Sequence, residues 1–213
     1  MKLPLKKSRK ERQQSTSVLL PSFIANQLLH KSLFDRNNIC LKRSFQSATV
    51  FQSDLIGFTA LSSTVHPSFV VSLLHHFYAK YDHFAAHFNV QKIETIGDAY
   101  ICVSFGGPTE PVIDFALSVV NVHKQLKDYR IQNILQPGNV SDPINISIRV
   151  GIARGNVLGC ILGRSCLRFH IFGSALDHAI QLEGKCLPNS ILGIHLYMYI
   201  IYTCSSLSFF ITL

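Results

Sequence analysis

Two β-rich runs, residues 90–96 and 100–105, flank Gly97-Asp98, and this arrangement restricts the fold more than any other feature of the chain. A Gly-Asp pair between such runs turns an antiparallel hairpin and puts the Asp98 carboxylate at its tip. A second aspartate stands in a related setting upstream. The segment Thr49-Val-Phe-Gln-Ser-Asp-Leu-Ile-Gly-Phe-Thr59 begins as a short apolar strand, ends on Asp54, and turns through Gly57 into a helix opening at Phe58-Thr59. Such a turn leaves backbone N–H groups able to hold phosphate oxygens beside the carboxylate.

An isolated Gly-Asp is ordinarily a turn residue and nothing more. Two aspartates in this order, one beside a phosphate-binding turn, make a stronger pattern. Mg²⁺ is a hard ion that takes a few carboxylates together with water and substrate phosphates, so the pair suits a two-metal site acting on a nucleoside triphosphate.

The rest of the chain supplies a sheet and its covering helices. His66-Pro-Ser opens a long amphipathic helix on which Phe69, Val70, Leu73, Leu74, Phe77, Tyr81 and Phe84 recur at three- and four-residue steps, a core stripe. Gly106-Gly107-Pro108 marks a loop, and Pro111 starts a second helix, to about Tyr129. Strands are expected at 48–53, 144–153, 157–162 and 167–172, and a short helix at 175–183. Interleaved strands and helices with antiparallel hairpins define an α+β fold.

With 213 residues the chain fits one well-buried domain. A hydrophobic fraction of 47% against 15% charged residues excludes the disordered class. The net charge of +8 lies largely in residues 1–12, which lack interleaved aromatics, so no nucleic-acid partner is expected. Six cysteines show no C-x-x-C spacing and are expected as reduced, buried thiols of a cytoplasmic domain, without a zinc site. His83 and His87 have i, i+4 metal-ligand spacing but no accompanying His-Glu motif, and are expected in packing or at the surface. Residues 191–213 contain no Asp, Glu, Lys or Arg and are long enough to span a bilayer, yet they are rich in Ser, Thr and Tyr. The expected organisation is a basic disordered tail at 1–17, a helix and linker at 18–45, a catalytic domain at 46–190, and a hydrophobic tail at 191–213. That tail is expected to be an aberrant carboxyl end in preference to a membrane segment; membrane association through it or through a parent protein stays open.

Three segments carry a family resemblance: Phe51-Gln-Ser-Asp-Leu-Ile-Gly-Phe-Thr59, Lys92-Ile-Glu-Thr-Ile-Gly-Asp-Ala-Tyr100 and Arg149-Val-Gly-Ile-Ala-Arg-Gly-Asn-Val157. In this order they resemble the catalytic domain of the class III nucleotidyl cyclases, the adenylate and guanylate cyclases, over roughly residues 19–190. The resemblance implies a ferredoxin-like cyclase domain with a mixed or antiparallel sheet, truncated at its carboxyl end. It implies two Mg²⁺ (or Mn²⁺) ions on Asp54 and Asp98 with the Leu55 carbonyl, and a phosphate-binding turn of Ile56, Gly57, Phe58 and Thr59.

In that family two domains pair, one donating metal ligands and the other the purine-recognition residues and an Asn/Arg pair that stabilises the transition state. The purine positions correspond to Glu94 and His170. A Glu can accept from guanine N1–H and N2–H₂ together, which favours GTP over ATP; His170 is not the usual residue of either type. The Asn and Arg positions hold Asp177 and Gln181, a departure that removes a guanidinium from the developing phosphoryl charge. The resemblance therefore implies a cyclase making a 3′,5′-cyclic monophosphate and pyrophosphate, with this chain as the metal-donating half. The expected partner is a second cyclase domain, in a heterodimer or in tandem, in preference to a homodimer. The alternatives are a catalytically impaired regulatory or dimerisation module, and an adenylate cyclase.

Overall fold

The computed structural model describes residues 42–126, 146–163, 168–195, 198–203 and 206–210. The basic tail, the helix expected from residue 18, most of the linker to the first strand, the end of the second long helix and the loop at 136–143 lie outside the described residues.

Strand β1 (Lys42–Ile56) is followed by the short helix α1 (Phe58–Thr64) and the long helix α2 (Pro67–His87). The hairpin β2 (Gln91–Ile96) and β3 (Ala99–Phe105) comes next, then helix α3 (Glu110–Leu126) and strand β4 (Ser147–Leu162). Strand β5 (Arg168–Phe172), helix α4 (Ser174–Lys185) and strands β6 (Ser190–His195), β7 (Met198–Thr203) and β8 (Ser206–Phe210) complete the described chain. The sheet order is β2-β3-β1-β4-β6-β7-β8, with β5 paired to β4. Order β2-β3-β1-β4 with helices after β1 and β3 is the ferredoxin-like βαββαβ arrangement.

Two compact units divide the chain. The larger holds residues 45–157 and 172–213. Its core joins Phe51 and Leu55 of β1, Tyr100 and Cys102 of β3, Leu73, Phe77 and Tyr81 of α2, and Val112, Phe115 and Val119 of α3. The Phe51 and Phe115 rings meet edge to face at 4.8 Å, so α3 is keyed to the middle of β1. His66 caps α2 through Nδ1, which accepts from the Ser68 N–H, and Pro67 occupies the first turn. In the smaller unit the described residues are 42–44, 158–163 and 168–171, with Cys160, Ile161, Phe169 and Ile171 buried.

The elements differ from the sequence expectation in three places. β1 begins at Lys42, before the apolar run, because hydrogen bonding continues through residues whose side chains are mostly exposed. The two strands expected at 144–153 and 157–162 are one, β4, which passes through Gly155 without a break. Residues 190–195, 198–203 and 206–210 are strands. β6 lies parallel to β4 with Arg149 opposite Ser190, and β7 and β8 follow as antiparallel neighbours. A parallel pair needs a crossover, and α4 lies in the connection between β4 and β6. Among the described residues no helix is long and apolar enough to cross a membrane.

Candidate active site

The β1–β3 ladder pairs Phe51 with Cys102 and Ser53 with Tyr100. One residue beyond Ser53, Asp54 comes level with the β2–β3 turn that carries Asp98. Gly97 stands in that turn at φ +62, a conformation that favours glycine, and β2 and β3 close on it through the Ile96–Ala99 pair. Pairing of β1 with β3 therefore brings together two aspartates 44 positions apart in the sequence. The Asp98 carboxylate accepts from the Leu55 backbone N–H at 3.3 Å. Burial and then the negative charge of Asp54 push the Asp98 carboxyl above its ordinary range, against which the N–H bonds act. Two carboxylates facing each other in partly buried surroundings are a site of excess negative charge, and a cation relieves it.

Gly57, at φ 85, turns β1 into α1 with no side-chain cap on the helix. Ile56 and Phe58 are half-buried and Thr59 is exposed. Phe58 packs against the core and fixes where the turn lies relative to Asp54.

Arg149 and Glu183 complete the charge cluster, and the sequence expectation gave neither a role. Arg149 Nη2 donates to Asp54 Oδ2 at 2.9 Å. Its Nε stands 2.7 Å from Glu183 Oε1, an ion pair without a well-directed N–H···O bond. Burial opposes the charge on Arg149, but Glu183 and Asp54 outweigh it and hold the guanidinium pKa above its already high value. Burial raises the Glu183 pKa, Arg149 counteracts this, and Asp54 and Asp98 add to the rise. The available signals were Arg149 at the head of the third motif and a glutamate at a core position of an amphipathic helix. Gly151, two residues after Arg149, permits the close approach of α4: a Cβ there would lie 2.0 Å from the Ala179 carbonyl oxygen and 2.5 Å from the Glu183 nitrogen.

The remaining expected residues are not part of this cluster. Asp177 and Gln181 are exposed on α4, whose buried residues are Ala175, Ala179, Leu182 and Glu183. Glu94, half-buried on β2, pairs in register with Ile101. His170, half-buried on β5, belongs to the smaller unit. His83 and His87 are exposed, and among the described residues no group of three or more His, Cys, Asp or Glu side chains is arranged to hold a metal. Cys102, Cys160 and Cys186 are buried and form no disulfide.

Residues 41–196 match the model of the adenylate and guanylate cyclase catalytic domain, and the chain belongs to that family. It is 31% identical over 172 residues to guanylate cyclase 2G of Rattus norvegicus, covering 81% of this chain and 15% of that protein. It is 30% identical over 177 residues to the guanylate cyclase soluble subunit beta-2 of Homo sapiens, covering 82% and 26%. The chain thus spans only a small part of these relatives. The guanylate cyclase domain of RhGC from Catenaria anguillulae, solved in complex with GTP, is similar at 27% identity and TM-score 0.60, over 71% of this chain and 79% of that one.

Proposed function

We propose that this chain is the metal-donating half of a nucleotide cyclase that converts GTP, in preference to ATP, to its 3′,5′-cyclic monophosphate and pyrophosphate. The observation that carries it is the approach of Asp54 and Asp98, with the backbone of Leu55 between them. The donor set of two carboxylates and a main-chain carbonyl is all oxygen, which fits Mg²⁺ or Mn²⁺. When bound, two such ions supply positive charge to the phosphates and lower the pKa of the ribose 3′-hydroxyl. Asp54, Asp98 and the Leu55 carbonyl would hold them. Ile56, Gly57, Phe58 and Thr59 present backbone N–H groups to the phosphates at the uncapped start of α1. Arg149 adds a positive charge beside Asp54.

The catalytic domain is residues 46–190. The partner is a second cyclase domain that supplies an Asn and an Arg, since Asp177 and Gln181 stand where the family carries that pair. In such an arrangement Glu94 and His170 of this chain face the degenerate second site, and the lean to guanine rests on the guanylate-type relatives. A second reading, a catalytically impaired partner module, is favoured by Asp177 and Gln181; it is opposed by the intact aspartate pair.

The test mixes the chain with a cyclase domain that carries Asn and Arg but lacks its own aspartates, and follows cGMP and cAMP formation with Mn²⁺. The mixture is expected to be active, the chain alone nearly inactive, and Asp54→Asn or Asp98→Asn mixtures dead. A mixture that stays inactive although the two chains associate would favour the regulatory module. Activity that survives Asp54→Asn or Asp98→Asn at near the unsubstituted level would overturn the metal role of that aspartate.

A further inference from the structure

We infer that Tyr78 is a positioning residue for Asp98, holding the β2–β3 turn through a hydrogen bond from its phenol to the Gly97 carbonyl. This rests on the metal assignment made for Asp54 and Asp98. The Tyr78 hydroxyl donates to Gly97 O at 2.9 Å, linking α2 to the hairpin tip across 19 positions of sequence. That carbonyl belongs to the peptide unit shared with the Asp98 nitrogen, so fixing it fixes the plane from which the Asp98 side chain departs.

Among the described residues little else holds the turn. A Cβ at Gly97 would meet nothing within 4 Å, so packing does not restrain it there. Its closing contact is the Ile96–Ala99 pair, and Ile96 is 60% exposed. Tyr78, in contrast, projects from a helix anchored by fully buried Leu73, Phe77 and Tyr81. Its ring lies 5.4 Å from Tyr100 and 6.0 Å from Tyr81, and Lys92 Nζ stands 5.8 Å from its centroid. The phenol and the Leu55 N–H thus hold the turn from two sides, one at its backbone and one at its carboxylate.

Tyr78→Phe removes only the hydroxyl. In the full chain, amide exchange at residues 96–99 is followed by NMR, and Mn²⁺ uptake by EPR of the free ion. Loss of one hydrogen bond of this kind is expected to speed exchange at the turn and weaken Mn²⁺ binding about three- to tenfold. Tyr81→Phe is the control. It removes a hydroxyl from the same helix, one bonded to His123, and is expected to lower thermal stability while leaving Mn²⁺ affinity unchanged. Unchanged exchange in Tyr78→Phe, or unchanged Mn²⁺ affinity beside a wild-type chain that binds the ion, overturns the inference alone. A wild-type chain that takes up no Mn²⁺ overturns the metal assignment itself, and the inference falls with it.

Discussion

Lowering the pH should destabilise this domain through one histidine. His123 on α3 is fully buried, its Nε2 is hydrogen-bonded to the Tyr81 hydroxyl, and its ring stacks on Phe77 at 4.4 Å. Burial holds its pKa down to about 3, from 6.5. The folded state therefore refuses a proton that the unfolded state accepts below pH 6.5. Above that pH both states are neutral and the contribution is fully present; it is lost as pH falls toward 3. The slope is about 1.4 kcal/mol per pH unit, so moving from pH 7.5 to 5.0 costs about 2 kcal/mol, a sizeable part of an ordinary domain's stability. Urea unfolding followed by far-UV circular dichroism at the two pH values measures it. His123→Gln keeps an acceptor for Tyr81 but does not titrate. Asp98 and Glu183, whose raised pKa values act in the opposite direction, are common to both proteins and cancel in the comparison. The wild type should lose about 2 kcal/mol more than the variant over this range. Equal losses, within about 0.5 kcal/mol, would refute the assignment of a neutral buried imidazole.

Gly151→Ala should unfold or severely destabilise the domain, by about 3 kcal/mol or more, because a methyl cannot lie 2.0 Å from the Ala179 carbonyl oxygen; a thermal midpoint equal to wild type would contradict it. Arg154 donates to Ser47 Oγ, Gly107 O and Thr109 Oγ1 at 3.0, 2.8 and 2.9 Å, so Arg154→Ala should cost about 2 kcal/mol or more, seen as a lower urea midpoint. Asp177→Asn with Gln181→Arg should raise the cyclase rate of the chain alone about a hundredfold, measured as cyclic nucleotide formed with Mn²⁺. A double variant that dimerises and binds Mn²⁺-nucleotide yet stays inactive would place the defect elsewhere. Cys102, Cys160 and Cys186 should resist thiol reagents until urea unfolds the chain; labelling of all three in the native state would contradict their burial.

Much of this protein was legible in the order of its residues. The Gly97-Asp98 hairpin, the strand-to-helix turn at Gly57 and the core stripe of α2 follow from local rules: a glycine where φ must be positive, and apolar residues at the period of a helix. The paired motifs pointed to the two aspartates for the same reason, since each lies in a turn whose form is set by its immediate neighbours. What the tertiary structure decided is how distant elements meet. The single long strand β4 bridges a glycine that locally reads as a break, because ladder hydrogen bonds to neighbouring strands outweigh the weak propensity of one residue. The strands after residue 190 join the sheet by pairing, where apolarity alone left a spanning helix open. Arg149 reaches Asp54 from 95 positions away, and Glu183 reaches Arg149 only because Gly151 lets α4 close on β4. No local pattern encodes these charge contacts: they depend on strand register and on the distance between a helix and a sheet, which exist only once the chain is folded.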